Sequence, residues 1–190
     1  MTSSYYQRRL PHWHPRDAYL FVTWRLADSL PRGAGGFACR KIDSGRAFVS
    51  VDRVIDRAAC GPKWLADPRI AQLVVETIHI GHRERSFYEL CAYVVMPNHV
   101  HVLFRPFQPV PRIMRWLKGS TARKANQVLG RTGERFWQDE SYDHWVRNDR
   151  EFVKIVRYIE WNPVAAGLVR SVEEWPWTSG LAGGTACPTS

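Results

Sequence analysis

The chain has 190 residues, 45% of them hydrophobic and 24% charged, which suits a soluble globular domain with a buried core. Its formal net charge of +9, from 27 Lys and Arg against 18 Asp and Glu, draws polyanions, chiefly nucleic acid or an anionic membrane. No run approaches the roughly 18 apolar residues of a membrane span, the N-terminus has no apolar signal segment, and Cys39, Cys60, Cys91 and Cys187 make no CxxC pair. The sequence therefore argues against a spanning helix and a zinc ribbon, and the expected location is a reducing cytoplasm.

In chain order, the segment MTSSYYQRRLPHWHPRD reads as a basic, aromatic N-terminal arm. Arg8, Arg9, His12, Trp13 and His14 suit a groove or unpaired bases. Ala18 to Leu26, rich in β-branched and aromatic residues, reads as a strand, and Pro31 to Gly36 as a flexible loop. Helical spacing predicts a helix over Ser44 to Ala59 and another opened by Asp67-Pro68, with Asp67 as cap, that ends near Gly81. Phe87 to Met96 and His99 to Arg105 read as strands joined by a turn at Pro97-Asn98. Pro111 to Leu129 is a long basic helix stopped at Gly130, followed by a loop and a short extended segment. Asp149 to Asn162 is a last helix, capped by Asn148 or Asp149 and stopped at Pro163. Residues 1–180 read as one domain and residues 181–190 as a disordered tail.

The order of strands and helices is the ferredoxin-like split βαβ pattern. The expected class is α+β: an antiparallel sheet with helices on one face and an added C-terminal helix.

Two groupings carry chemistry. His99 and His101 sit at i and i+2 of a strand and so share a face, where two imidazoles can chelate one divalent ion or simply stand as hydrogen-bonded histidines. Val100 and Val102 point the other way, into the core. Tyr158 and Asn162, four apart, share a face of the last helix. A tyrosine oxygen is a phosphoryl-transfer nucleophile once activated, and an Asn oxygen is a hard ligand suited to Mg²⁺ or Mn²⁺; the same pair also reads as a helix aromatic and a C-cap. Because Asn162 precedes Pro163, the two side chains are expected to diverge slightly. Arg112, Arg115, Lys118, Arg123 and Lys124 along the basic helix suit a phosphate backbone as well as they suit solvent. Tyr142, Asp143 and His144 read as structural or supporting residues.

Taken together, the segments LPHWHPRDAYLFVTWRLADSLP, WLADPRIAQLVVETI, YVVMPNHVHVLFRP, IMRWLKGSTARKANQVLGRTGERFWQDESYDHWVRN and YIEWNPVAAGLV resemble the REP-associated tyrosine transposases. These are single-tyrosine transposases of the IS200-like group, named HUH for two histidines around a hydrophobic residue. The resemblance implies that His99 and His101 are metal ligands, that Tyr158 at the head of YI-xx-NP is the nucleophile, and that Asn162 is the third protein ligand, where other HUH transposases carry Gln. It further implies a divalent cofactor, Mg or Mn, single-stranded or hairpin DNA as substrate, a 5′-phosphotyrosine intermediate, and a monomer or homodimer. Trp161 departs from the smaller or polar residue expected between Glu160 and Asn162. Two rival readings stand beside this one: a catalytically idle module binding DNA or RNA hairpins on the same fold, and a metal-dependent hydrolase, which would call for more carboxylates near the histidines.

Overall fold

A computed structural model describes residues 4–7, 11–14, 18–29 and 61–182. The loop expected at 31–36, the helix expected over 44–59, Arg8, Arg9, Cys39, Cys60, Cys187 and the tail from residue 183 lie outside the described residues.

The segment read as an arm contains two strands, β1 (Ser4–Gln7) and β2 (Pro11–His14), paired antiparallel with Tyr5 opposite Trp13 and Tyr6 opposite His12. Its aromatic residues favour a pleated ribbon, which is why it pairs instead of trailing as an irregular arm. The main sheet has the order β4-β5-β3-β6, with every neighbour antiparallel. Its strands are β3 (Leu20–Arg25), β4 (Tyr88–Val95), β5 (His99–Pro106) and β6 (Tyr142–Trp145). With helices α1 (Pro68–Arg83), α2 (Val110–Val128) and α3 (Asp149–Ala165), this is the ferredoxin-like arrangement plus a terminal helix.

Alternation along the strands feeds two cores. Leu20, Val22, Trp24, Val100, Val102 and Phe104 face α1 and α2, packing with Ile70, Val74 and Ile78 and with Ile113 and Leu117. Phe21, Ala92, Val94 and Leu103 face α3, packing with Phe152, Val156 and Ile159. A bulge between Leu90 and Ala92 inserts Cys91 into β4 and switches the parity of the strand. Tyr88 and Leu90 before it thus share a core with Tyr93 and Val95 after it.

The helix ends follow local chemistry. Asp67 caps α1 by accepting from the Arg69 N–H at 2.9 Å, with Pro68 at the first turn. Asn148 caps α3 by accepting from the Glu151 N–H at 2.9 Å. Pro163 does not stop α3, contrary to the expectation from sequence. The helix runs through it to Ala165 and closes in a Schellman motif at Gly167, whose φ is +71°. There the Leu168 N–H reaches the Pro163 carbonyl and the Gly167 N–H reaches that of Val164. Pro163 forgoes one i→i−4 bond, but Pro163 and Asn162 are both buried, and packing outweighs the local preference. Asn162 therefore stays helical and one turn beyond Tyr158.

Candidate active site

The hairpin of β4 and β5 delivers the two histidines. The Met96 N–H bonds to the His99 carbonyl at 2.9 Å, closing the Pro97-Asn98 turn, and β5 starts at His99. Both imidazoles are fully buried, at 0% exposure, and point to the α3 side of the sheet while Val100 and Val102 fill the opposite core. The side facing α3 carries a cross-strand row of Val94, His101, Thr23 and Tyr142.

The Nε2 atoms of His99 and His101 stand 3.0 Å apart. Each outer nitrogen has a partner: Nδ1 of His99 lies 2.6 Å from Asn98 Oδ1, and Nδ1 of His101 lies 2.7 Å from Thr23 Oγ1. A proton on each Nδ1 leaves both Nε2 lone pairs turned to the same point, which is how ligating histidines are commonly held. Burial drives the His101 pKa down to about 3, so that its ring is neutral at physiological pH.

Tyr158, half-buried on α3, meets this pair edge-on. Its ring centroid lies 5.7 Å from that of His101 and 6.2 Å from that of Phe21, and Phe21 in turn stacks on His101 at 5.4 Å. One turn on, Asn162 is 2% exposed and its Oδ1 has no hydrogen-bond partner among the described residues. An orphaned buried carbonyl oxygen costs free energy unless something satisfies it.

These residues fit a divalent ion. A 3.0 Å separation is what two imidazole ligands with bonds of about 2.1 Å span at a right angle, the octahedral requirement of Mg²⁺ or Mn²⁺. The unpartnered Asn162 oxygen is a hard donor of the right type. Among the described residues, no three His, Cys, Asp or Glu side chains cluster as a metal site.

The start of α3 is tied to the sheet edge. His144 on β6 lies 2.9 Å from Glu151 Oε1, and Glu151 Oε2 accepts the Arg147 N–H at 2.7 Å. Burial pushes the Glu151 pKa up, but these two bonds outweigh it and leave the carboxyl below its ordinary value. The structural role read for His144 is therefore a clamp on the helix that carries Tyr158. Arg25, directly opposite His99 in the sheet register and half-buried, adds a cation on the same side. Its pKa is lowered by burial and by the neighbouring Arg135.

The basic helix is elsewhere. α2 packs on the sheet face away from the histidines, so Arg112, Arg115, Lys118, Arg123 and Lys124 are not brought to Tyr158. Lys118 Nζ is committed to the carbonyls of Gln138 and Asp139 at 2.6 and 2.8 Å, and Arg112 to Gln108 Oε1 at 3.1 Å. His12, Trp13 and His14 lie in the separate ribbon of β1 and β2. Sequence reasoning passed over Thr23, Asn98 and Arg25. The signal for Thr23 and Arg25 was their alternation with Phe21 along LFVTWR, and for Asn98 its place next to His99.

Residues 64–162, half of the chain, match the family model described as "Transposase IS200 like". The chain belongs to the IS200-like transposase family. Within this IS200-like group, a relative from Escherichia coli K-12 named "REP-associated tyrosine transposase" is 31% identical over 98 residues, covering 51% of this chain and 56% of that protein. The chain thus spans little more than half the length of the curated relatives it matches. A solved structure of a REP-associated tyrosine transposase bound to a REP hairpin superposes with a TM-score of 0.59 at 19% identity, covering 98% of this chain and 92% of that one. That likeness establishes a shared fold for the IS200-like chain. No helix among the described residues is long and apolar enough to cross a membrane.

Proposed function

We propose that this IS200-like transposase is a metal-dependent endonuclease and strand transferase for single-stranded DNA, forming a 5′-phosphotyrosine through Tyr158. The observation that carries the reading is the Tyr158 ring seated 5.7 Å from a buried His101 whose Nε2 faces that of His99.

His99, His101 and Asn162 would hold a divalent ion of the Mg or Mn kind, which when bound supplies a Lewis acid for the scissile phosphate. Thr23 and Asn98, each within hydrogen-bond distance of an imidazole Nδ1, would accept its proton and so leave each Nε2 free for the ion. The oxygen of Tyr158 forms a bond to phosphorus while the bond from phosphorus to the 3′ oxygen breaks. The phenol gives up its proton and the leaving 3′ oxygen takes one up. The DNA 5′ end stays on Tyr158 as a phosphodiester, so an incoming 3′-OH can reverse the step and join strands without ATP. The nucleophile must meet phosphorus in line, which favours unpaired, splayed DNA over a stacked duplex. The names of the Escherichia coli relative and of the solved neighbour support palindromic REP hairpins with unpaired flanks as the substrate class.

The test is covalent capture on a denaturing gel, with a labelled single-stranded REP hairpin in Mn²⁺ or in EDTA. An adduct in Mn²⁺ that is absent in EDTA and in Tyr158→Phe is expected. Tight hairpin binding with no adduct in Mn²⁺ would replace this reading with an idle hairpin-binding module.

A further inference from the structure

The nucleophile-bearing helix has a second face. The side of α3 opposite Phe152, Val156 and Ile159 exposes Arg150, Val153, Lys154, Arg157 and Trp161, at the 3–4 spacing of one helical stripe. From Arg150 to Trp161 the stripe is about 16 Å long, at about 1.5 Å rise per residue. Among the described residues, Arg150, Lys154 and Arg157 have no hydrogen bond or ion pair. The acidic residues of α3 leave the stripe positive: Asp149 sits at its far end, Glu151 is engaged by His144 and the Arg147 N–H, and Glu160 is half-buried. Trp161 is 56% exposed, the largest apolar side chain left open on this helix, and it follows Tyr158 by three residues. Lone exposed apolar residues are ordinary; an exposed indole closing a row of uncompensated cations beside the nucleophile is not.

We infer that this outward face of α3 seats the unpaired DNA strand flanking the scissile phosphate, with Arg150, Lys154 and Arg157 on backbone phosphates and Trp161 stacked on a base next to the cleavage point. Cations that track phosphates plus an aromatic ring that takes any base is the chemistry of single-strand binding, and a paired duplex would offer Trp161 no free base face. The face lies on the same side of the sheet as His99 and His101, whereas the basic residues of α2 lie on the other. Trp161, which stands where a smaller or polar residue was expected, thereby acquires a role as a strand-positioning side chain.

The inference rests on the strand-transfer reading for where the strand must lead, so binding and chemistry are measured apart. Fluorescence anisotropy of the full chain would use two labelled probes, a REP hairpin with unpaired flanks and the same hairpin without them, over a salt series. Lys154→Gln with Arg157→Gln is expected to weaken the flanked probe at least tenfold and to reduce the salt slope by about two. Trp161→Ala is expected to weaken it roughly tenfold with the salt slope unchanged, and Trp161→Phe to restore most of the loss. The flankless hairpin should lose much less in each case. All these side chains are exposed, so thermal melting of each variant should match the parent. Wild-type affinity in the variants, or equal losses on both probes, would overturn the inference. If the parent forms no adduct while the selective losses persist, the strand-transfer reading falls and the binding face stands.

Discussion

The hydroxyl of Thr23 lies 2.7 Å from Nδ1 of His101, across a directly opposed pair of β3 and β5 residues 78 positions apart in sequence. That contact holds the imidazole so that Nε2 faces its neighbour. Thr23→Val keeps the shape and removes the partner. It is expected to weaken Mn²⁺ binding about tenfold to a hundredfold, read by isothermal titration calorimetry, with Thr23→Ser close to the parent. An unchanged affinity in Thr23→Val would mean that the hydroxyl does not orient the ligand.

Asn162 combines burial with an Oδ1 that has no partner among the described residues, as the metal-ligand role proposed for it requires. Asn162→Leu should therefore abolish metal-dependent adduct formation without lowering the melting temperature of the metal-free protein, and should raise its stability by about 1 kcal/mol. A strongly destabilised Asn162→Leu protein would show instead that the amide supports the helix end.

Gly81 in α1 lies against the fully buried Tyr88, whose hydroxyl donates to the Ile78 carbonyl at 2.7 Å. A Cβ at Gly81 would come within 2.7 Å of the Tyr88 Cζ atom. Gly81→Ala is expected to cost about 1–3 kcal/mol in urea denaturation, and Tyr88→Phe in the same chain to recover part of it by freeing the hydroxyl position.

Glu151 gives the acid side of the stability profile its sign. Its pKa is lower in the folded state than in the unfolded chain, so the unfolded state binds more protons as pH falls through this range. The stability it contributes is present above the ordinary carboxylate pKa and is lost as pH falls through the depressed folded value. Glu151→Gln should therefore narrow the difference in melting temperature between pH 7 and pH 4, measured by circular dichroism. An unchanged difference would remove the clamp between β6 and α3 from the account.

The placement of much of this site is legible in the sequence. His99 and His101 were readable from strand period, the caps at Asp67 and Asn148 from local hydrogen-bonding chemistry, and the ferredoxin-like order from the succession of apolar runs. What was illegible depends on contacts distant in sequence. The α2 cations were plausible for DNA because a helix face carries no label for the side of the sheet it will cover, and the choice is made by Ile113 and Leu117 packing on Val100 and Val102. Pro163 reads as a stop because local sterics say so, while burial of Asn162 and Pro163 and the closure at Gly167 carry the helix past it. Cys91 gives no local sign of being a bulge; that follows from which neighbours must share a core.

The central claim is that the oxygen of Tyr158 becomes bonded to DNA. The most direct measurement is mass spectrometry of the adduct after nuclease trimming and proteolysis, with fragmentation of the modified peptide. A nucleotide joined through its 5′ phosphate to Tyr158, and lost in EDTA, is the expected result. A nucleotide on Tyr142 or on another side chain, or free 5′ phosphate ends released with no modified peptide, would contradict it.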